Sequence, residues 1–197
     1  NTGGMGAVSP APLLTDDLRQ KVMEEVVLPL ARGMAAEGSP YRGILYVGLM
    51  LTDTGPQVIE FNCRLGDPEA QVILPRLRSD LVAAMLGTVE GSLGHLSLRW
   101  DTRSAVTVVM ATKGYPGSYE KGSRILGLDL LADDPNVIPF HAGTVIEADG
   151  TVRANGGRVL PVTGLGDSVE SARKAAYAAV DSIDWPEGFC RRDIAAV

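Results

Sequence analysis

Apolar side chains along residues 15–38 recur at helical intervals. Leu18, Val22, Val26 and Leu30 fall on one side of a helix with 3.6 residues per turn, which predicts a face turned toward a core. Thr15 stands where a cap would accept a free amide, and Asp16 and Asp17 place carboxylates at the positive end of the helix dipole. Pro29 predicts a kink in the last turns, and Gly38 with Pro40 ends the segment. Beyond it the period shortens. Residues 44–51 and 57–63 are apolar runs separated by Asp53-Thr54-Gly55-Pro56, the pattern of two antiparallel strands joined by a turn. Side chains alternate along a strand, so Ile59, Phe61 and Cys63 are expected on one face and Val58, Glu60, Asn62 and Arg64 on the other. Gly66-Asp67-Pro68-Glu69 then reads as a helix start, with Asp67 capping and Pro68 at the first helical position. A further short helix is expected from Ser79 through Leu86, followed by a connector over 87–94, where Gly87, Gly91 and Gly94 cluster.

Past residue 100 the pattern becomes one of short strands: 105–111, 137–140 with 144–147, and 151–162, with Asp149-Gly150 as a hairpin turn. Ser168 caps a last helix, on which Val169, Ala172, Ala176, Val180 and Ile183 keep helical spacing, before the polar tail Arg191-Arg192-Asp193. The expectation is an α+β chain with a boundary near residue 100, a helix-bearing part over 1–100 and a β-rich part over 101–197.

Composition narrows the classes. The 197 residues are 45% hydrophobic and 21% charged, as in ordinary globular proteins, and no apolar run reaches the roughly 18 residues of a membrane span. A formal net charge of -6 argues against a nucleic-acid surface, which needs a basic stripe to neutralise phosphates. Cys63 and Cys190 are too few for a disulfide framework, which favours a reducing cytoplasm. The chain opens without an initiator methionine, directly in a glycine-rich run, and is expected to be the back portion of a longer protein.

The densest chemistry lies in residues 58–69. Glu60 and Asn62, two apart on one strand face, offer the hard oxygen ligands that magnesium takes alongside water and substrate phosphates. An isolated pair of this kind would be an ordinary solvated sheet face. Here Arg64 extends the same face with a planar fork suited to carboxylate or phosphate, and Asp67 and Glu69 follow at once, so a magnesium and phosphate site is the stronger reading. The three glycines of Asn1-Thr2-Gly3-Gly4-Met5-Gly6 would let backbone amides approach an anion, although taken alone a flexible turn is the better reading. Lys113, in a glycine-proline loop, is a candidate for reaching a ligand phosphate beside the plainer reading of a solvated lysine. His141 reads as structural, Gly156-Gly157-Arg158 as a strand bend with Arg158 paired to a carboxylate, with phosphate binding there as the lesser reading, and Met5 and Cys63 as packing residues.

Asn1-Thr2-Gly3-Gly4-Met5-Gly6, Ser9-Pro10, Tyr41-Arg42-Gly43, Glu60-Phe61-Asn62-Cys63-Arg64 and Gly66-Asp67-Pro68-Glu69 together resemble the glycinamide ribonucleotide synthetase (phosphoribosylamine-glycine ligase) family. Lys113-Gly114-Tyr115-Pro116-Gly117, Phe140-His141-Ala142-Gly143-Thr144, Gly156-Gly157-Arg158-Val159-Leu160 and Arg191-Arg192-Asp193-Ile194 continue the likeness to the end of the chain. The resemblance implies the C-terminal part of an ATP-grasp domain, an antiparallel sheet with helices, followed by a smaller β-rich domain. It implies joining phosphoribosylamine to glycine through a glycyl phosphate in purine biosynthesis, with ATP and with magnesium or manganese. Position by position, it makes Glu60 and Asn62 metal ligands and Arg64 a support for the charged substrate or transition state. Asp67 would orient an amine or hydroxyl, and the opening glycine run would line the substrate and phosphate region. Leu65 stands where an aromatic residue is common in the family. The resemblance further implies that nucleotide-binding residues lie upstream of Asn1, so that this chain alone is inactive and the upstream part of the same protein is its partner. Competing expectations are another ATP-grasp ligase or carboxylase, and a non-catalytic fragment.

Overall fold

The computed structural model describes residues 4–196. In chain order it forms β1 (Gly6–Ser9), α1 (Asp16–Val22), a π-helical stretch (Met23–Val27) and α2 (Leu28–Ala36), then the strands β2 (Tyr46–Thr52) and β3 (Gly55–Asn62). Next come α3 (Ala70–Ile73), α4 (Leu81–Glu90), β4 (Ser104–Thr112), β5 (Arg124–Ile125), β6 (Val137–Pro139) and β7 (Thr144–Ile146). The chain finishes with β8 (Val152–Ala154), β9 (Arg158–Gly166), α5 (Val169–Ser182) and β10 (Gly188–Phe189). These elements divide into two compact units: residues 4–9, 67–76 and 100–196 form one, and Pro10–Gly66 with Leu77–Arg99 the other. The α+β class is as expected. The first unit takes the chain from Trp100 onward together with two earlier segments, so the opening strand and the segment containing Asp67 belong to it.

In the first unit β4 lies at the centre of a sheet with neighbours in the order β1, β4, β9, β6, and β10 pairs with the end of β4. Every residue of β4 is buried. The reason is a sheet covered on both faces: Val106, Val108 and Met110 pack with Ala172, Ala176 and Val180 of α5, while Ala105 on the other face meets Val72 of α3 and Leu165. Such a strand reads as a continuous apolar run instead of an alternating one. Ser168 starts α5 by accepting the Ser171 amide while the Ser171 hydroxyl returns to the Ser168 amide, as its sequence position predicts. The strand expected over 151–162 is two, β8 and β9, split at Asn155-Gly156-Gly157 and placed in different sheets. The segments 137–140 and 144–147 likewise do not pair with one another. β6 joins β9 and β7 joins β8, the latter through the expected Asp149-Gly150 turn. From Gly6 onward the opening glycine run is strand β1, in register with residues 105–108 of β4.

In the second unit β2 and β3 form the antiparallel pair foreseen, with a bulge between Gly48 and Leu49. Helical conformation persists from Asp16 to Ala36. The irregularity is the π-helical stretch ahead of Pro29 instead of a kink in the last turns, and Pro29 sits in the first turn of α2, where its missing N–H is tolerated. On the face expected to be core, Val22 is buried while Leu18, Val26 and Leu30 are half-buried. Two helix starts differ from expectation. Asp67 does not cap α3, whose first turn carries no side-chain cap, because its carboxylate is engaged elsewhere. Asp80 instead of Ser79 caps α4, accepting the Val82 and Ala83 amides. That helix runs through Gly87 to Glu90 and stops at Gly91, whose φ of 76° a side chain would resist.

Candidate functional site

The strand alternation that placed Glu60 and Asn62 on one face holds in the structure. Asn62 Nδ2 donates to Glu60 Oε1 at 3.0 Å, so the two side chains converge. Gly48 lies opposite Glu60 in the register, and a Cβ there would stand 3.1 Å from Glu60 Cγ, so the glycine leaves the carboxylate its room. Phe61 and Cys63 on the other face line an apolar cavity of about 170 Å³ with Leu30, Ala31, Met34, Tyr41 and Leu45, but both side chains keep exposed surface, so Cys63 is an exposed thiol and not the packing residue expected. Loss of hydration, and secondly the neighbouring Cys63 thiol, hold the Tyr41 phenol above its ordinary range. Arg64 is exposed and donates to the Leu65 carbonyl at 2.9 Å. Among the described residues no three or more His, Cys, Asp or Glu side chains gather as a metal cage. Glu60 and Asn62 could hold an ion that needs only two protein groups, one carboxylate and one amide, with water and phosphate oxygens supplying the rest. Magnesium binds in this manner.

The remaining site residues belong to the first unit, apart from the Glu60, Asn62 and Arg64 strand end. Asn1, Thr2 and Gly3 lie outside the described residues. Asp67 Oδ1 accepts from Gln71 Nε2 and Asp67 Oδ2 from Arg158 Nη2, each at 3.0 Å. Arg158 Nη1 donates to the carbonyls of Asp67 at 2.9 Å and Gly4 at 3.0 Å. The expectation that Arg158 pairs with a carboxylate is met, and its partner is Asp67. Gly4 has a φ of 70°, and a Cβ there would fall on the Arg158 guanidinium and 2.8 Å from the Asp67 carbonyl oxygen. Met5 is buried with Val109 and Ala111 against Tyr115, Phe189 and Ile194. A Cβ on Gly6 would meet Ile194 Cγ2 at 2.5 Å and the Thr107 carbonyl at 2.8 Å.

Lys113 is exposed on a cleft of about 690 Å³, lined also by Thr112, Glu120, Lys121, Ser123 and Glu187. Glu69 opens α3 as its N-cap residue with no side-chain cap. His141 Nδ1 sits 2.9 Å from Thr144 Oγ1, a local structural contact. The tail motif is fastened to α5: Tyr177 donates to the Arg191 carbonyl at 2.7 Å and Arg173 Nε to the Ile194 carbonyl at 2.8 Å, which seats Ile194 beside Gly6. Sequence reasoning missed Gln71 and Tyr115. Gln71 stands one helical turn beyond Asp67, a spacing that would have exposed it.

The helices and antiparallel sheets are those of the ATP-grasp class. The biotin carboxylase domain of a Hydrogenobacter thermophilus 2-oxoglutarate carboxylase shares the fold with a TM-score of 0.66 at 15% identity, over 94% of this chain and 40% of that one. Two family models match in order: the phosphoribosylglycinamide synthetase ATP-grasp (A) domain over residues 1–70 and the phosphoribosylglycinamide synthetase C domain over residues 105–197. The chain belongs to the phosphoribosylglycinamide synthetase family. A phosphoribosylamine–glycine ligase from Mesorhizobium japonicum is 55% identical over 98% of this chain and 45% of its own length. The Escherichia coli K12 phosphoribosylamine–glycine ligase is 52% identical over the same shares. The crystal structure of the Thermotoga maritima phosphoribosylamine–glycine ligase superposes with a TM-score of 0.82 at 38% identity, over 98% of this chain and 47% of that one. The chain thus spans about half the length of these relatives.

Proposed function

We propose that this chain is part of an ATP-dependent carbon–nitrogen ligase that joins 5-phosphoribosylamine to glycine, forming glycinamide ribonucleotide in purine biosynthesis in the cytoplasm. What carries the reading is the likeness over 98% of the chain to proteins of that activity, at 55% identity in the first case. In this reading residues 1–100 are the C-terminal part of the ATP-grasp domain and 101–197 the β-rich C-terminal domain, and the upstream part of the same protein is the chain's partner. The glycine carboxylate is activated as glycyl phosphate, and the amine of phosphoribosylamine attacks the acyl carbon.

Glu60 and Asn62 would hold magnesium, or manganese. A divalent ion so held supplies neutralisation of phosphate charge, which lets transfer rest on positioning and electrostatic stabilisation. The chain's own residues do the rest. Arg64, exposed at the end of β3, brings a fixed positive fork to the developing charge. The amides of the opening glycine run, with Gly4 and Gly6 free of side chains, line the phosphate region, and Lys113 adds a positive charge on its cleft. Asp67 would orient the amine, with its carboxylate held in place by Gln71 and Arg158. The intact protein that carries this chain is expected to release ADP only when glycine and phosphoribosylamine are both present. Release that requires bicarbonate instead would assign the site to a carboxylase and overturn the reading.

A further inference from the structure

The site residues of the first unit come from distant parts of the chain, and one side chain ties two of them, Gly4 and Asp67, together. Arg158 opens β9, directly after Gly156-Gly157, and only about a quarter of its side chain is exposed. Three of its hydrogen bonds fall on two other segments: the Gly4 carbonyl, the Asp67 carbonyl and the Asp67 carboxylate, at 2.9–3.0 Å. A guanidinium is suited to this because its donors lie in one plane in a fixed fork, so a single group can span two backbone carbonyls and a carboxylate. The neighbouring structure leaves Arg158 little freedom. β9 is buried from Val159 to Leu165, and a Cβ on Gly157 would collide with the Tyr115 ring and stand 3.1 Å from that of Tyr119. On the other side Gly4 has no side chain and a positive φ, which is what allows its carbonyl to reach the arginine.

We infer that Arg158 is a positioning residue: it locks the opening glycine-rich run to the Asp67 turn, so that a phosphate-bearing reactant meets its backbone donors already in place. Both oxygens of Asp67 already accept hydrogen bonds, one from Arg158 and one from Gln71, so the carboxylate is a fixed hinge pin between the two segments. Ordering a loop beforehand lowers the cost of binding, because its entropy is lost on folding and not at each encounter. Displacing bound groups by about 1 Å costs rate or affinity on the order of a hundredfold, so loosening this bridge is expected to be felt.

The kinetic part of the inference rests on the ligase reading above, and its structural part does not. In the intact protein, Arg158→Gln is expected to speed amide hydrogen exchange in residues 4–9 and 66–69 while leaving residues 159–165 protected as before. Exchange unchanged at 4–9 and 66–69, or accelerated throughout 159–165, would show either no lock or a general structural role, and each overturns the inference. In steady-state assays the same variant is expected to raise KM for ATP or for phosphoribosylamine about tenfold while KM for glycine stays within about twofold. KM values unchanged for all three reactants, with only a lower Tm, overturn it. Arg158→Lys keeps the charge but not the fork. It is expected to show the same effects at about a third of the size, and it carries the test if Arg158→Gln yields no soluble protein. Asp67→Asn combined with Arg158→Gln is expected to be no worse than the poorer single variant, because both break one bridge; multiplying losses count against the lock. If the unaltered protein releases no ADP with glycine and phosphoribosylamine, the ligase reading fails while hydrogen exchange still decides the lock.

Discussion

At the scale of single residues, a period of two was enough to bring Glu60 and Asn62 to one another, and their 3.0 Å contact shows how much a local pattern can specify. Asp67 shows the limit. Its place before Pro68 reads as a helix cap, yet its carboxylate is taken by Gln71 and by Arg158, 91 positions away. No spacing rule links residues so far apart, because their meeting is a property of the tertiary fold. That Arg158 needs a carboxylate was legible from its chemistry; which carboxylate was not. Glu60→Gln keeps the size of the side chain and removes the charge that draws a divalent ion. The magnesium concentration for half-maximal ADP release by the intact protein is expected to rise by about tenfold or more, as loss of a supporting group near a metal commonly does. A titration curve that does not move would remove Glu60 from the metal.

At the scale of elements, long patterned segments were legible and short ones were not. α5 announced itself through Ser168 and a helical apolar period, and β4 through nine residues rich in Val. β1, four residues led by a glycine run, carries too little pattern to be told from a loop, and it exists because β4 offers it a partner. The close approach of α5 to β9 also hides in the sequence. It depends on Gly164, where a Cβ would collide with the Ala172 carbonyl, reach within 2.5 Å of the Ala176 amide nitrogen and stand 3.0 Å from the Ala175 Cβ. Two of these neighbours are backbone atoms and cannot rotate away, so the helix as a whole would have to lift. Gly164→Ala is therefore expected to lower stability by about 1–3 kcal/mol, the usual range for overpacking a core. Urea denaturation followed by circular dichroism reads this directly, and an unchanged midpoint would mean that α5 shifts on the sheet at little cost.

At the scale of the whole molecule, the two units differ in what they bury. The first owns the core: Val106, Val108, Leu160, Val162, Ala172, Ala176, Val180 and Trp185 pack as one cluster. In the second, Val22 is the one buried hydrophobic side chain among the described residues. Its β2–β3 pair exposes Met50, Leu51, Val58, Ile59 and Phe61, and α4 exposes Val82, Met85, Leu86 and Val89. Ile59 keeps 62% and Val89 67% of their surface in solvent, which is far from the scattered single apolar residues of an ordinary surface. This contrast was not legible in the sequence, since the apolar periods of the second unit are as regular as those of a buried helix or strand. Apolar area left in water is unfavourable by about 25 cal/mol per Å², so the 197-residue chain has a standing drive to cover it. By itself it is expected to enhance the fluorescence of an apolar dye and to show an average mass in sedimentation that rises with concentration. Replacing Ile59 and Val89 together with lysine should weaken both signals and leave the far-ultraviolet circular dichroism as it was, because neither side chain is part of a core. A chain that stays monomeric at every concentration and leaves the dye dark would mean that the second unit satisfies its apolar faces internally, in an arrangement unlike the one described.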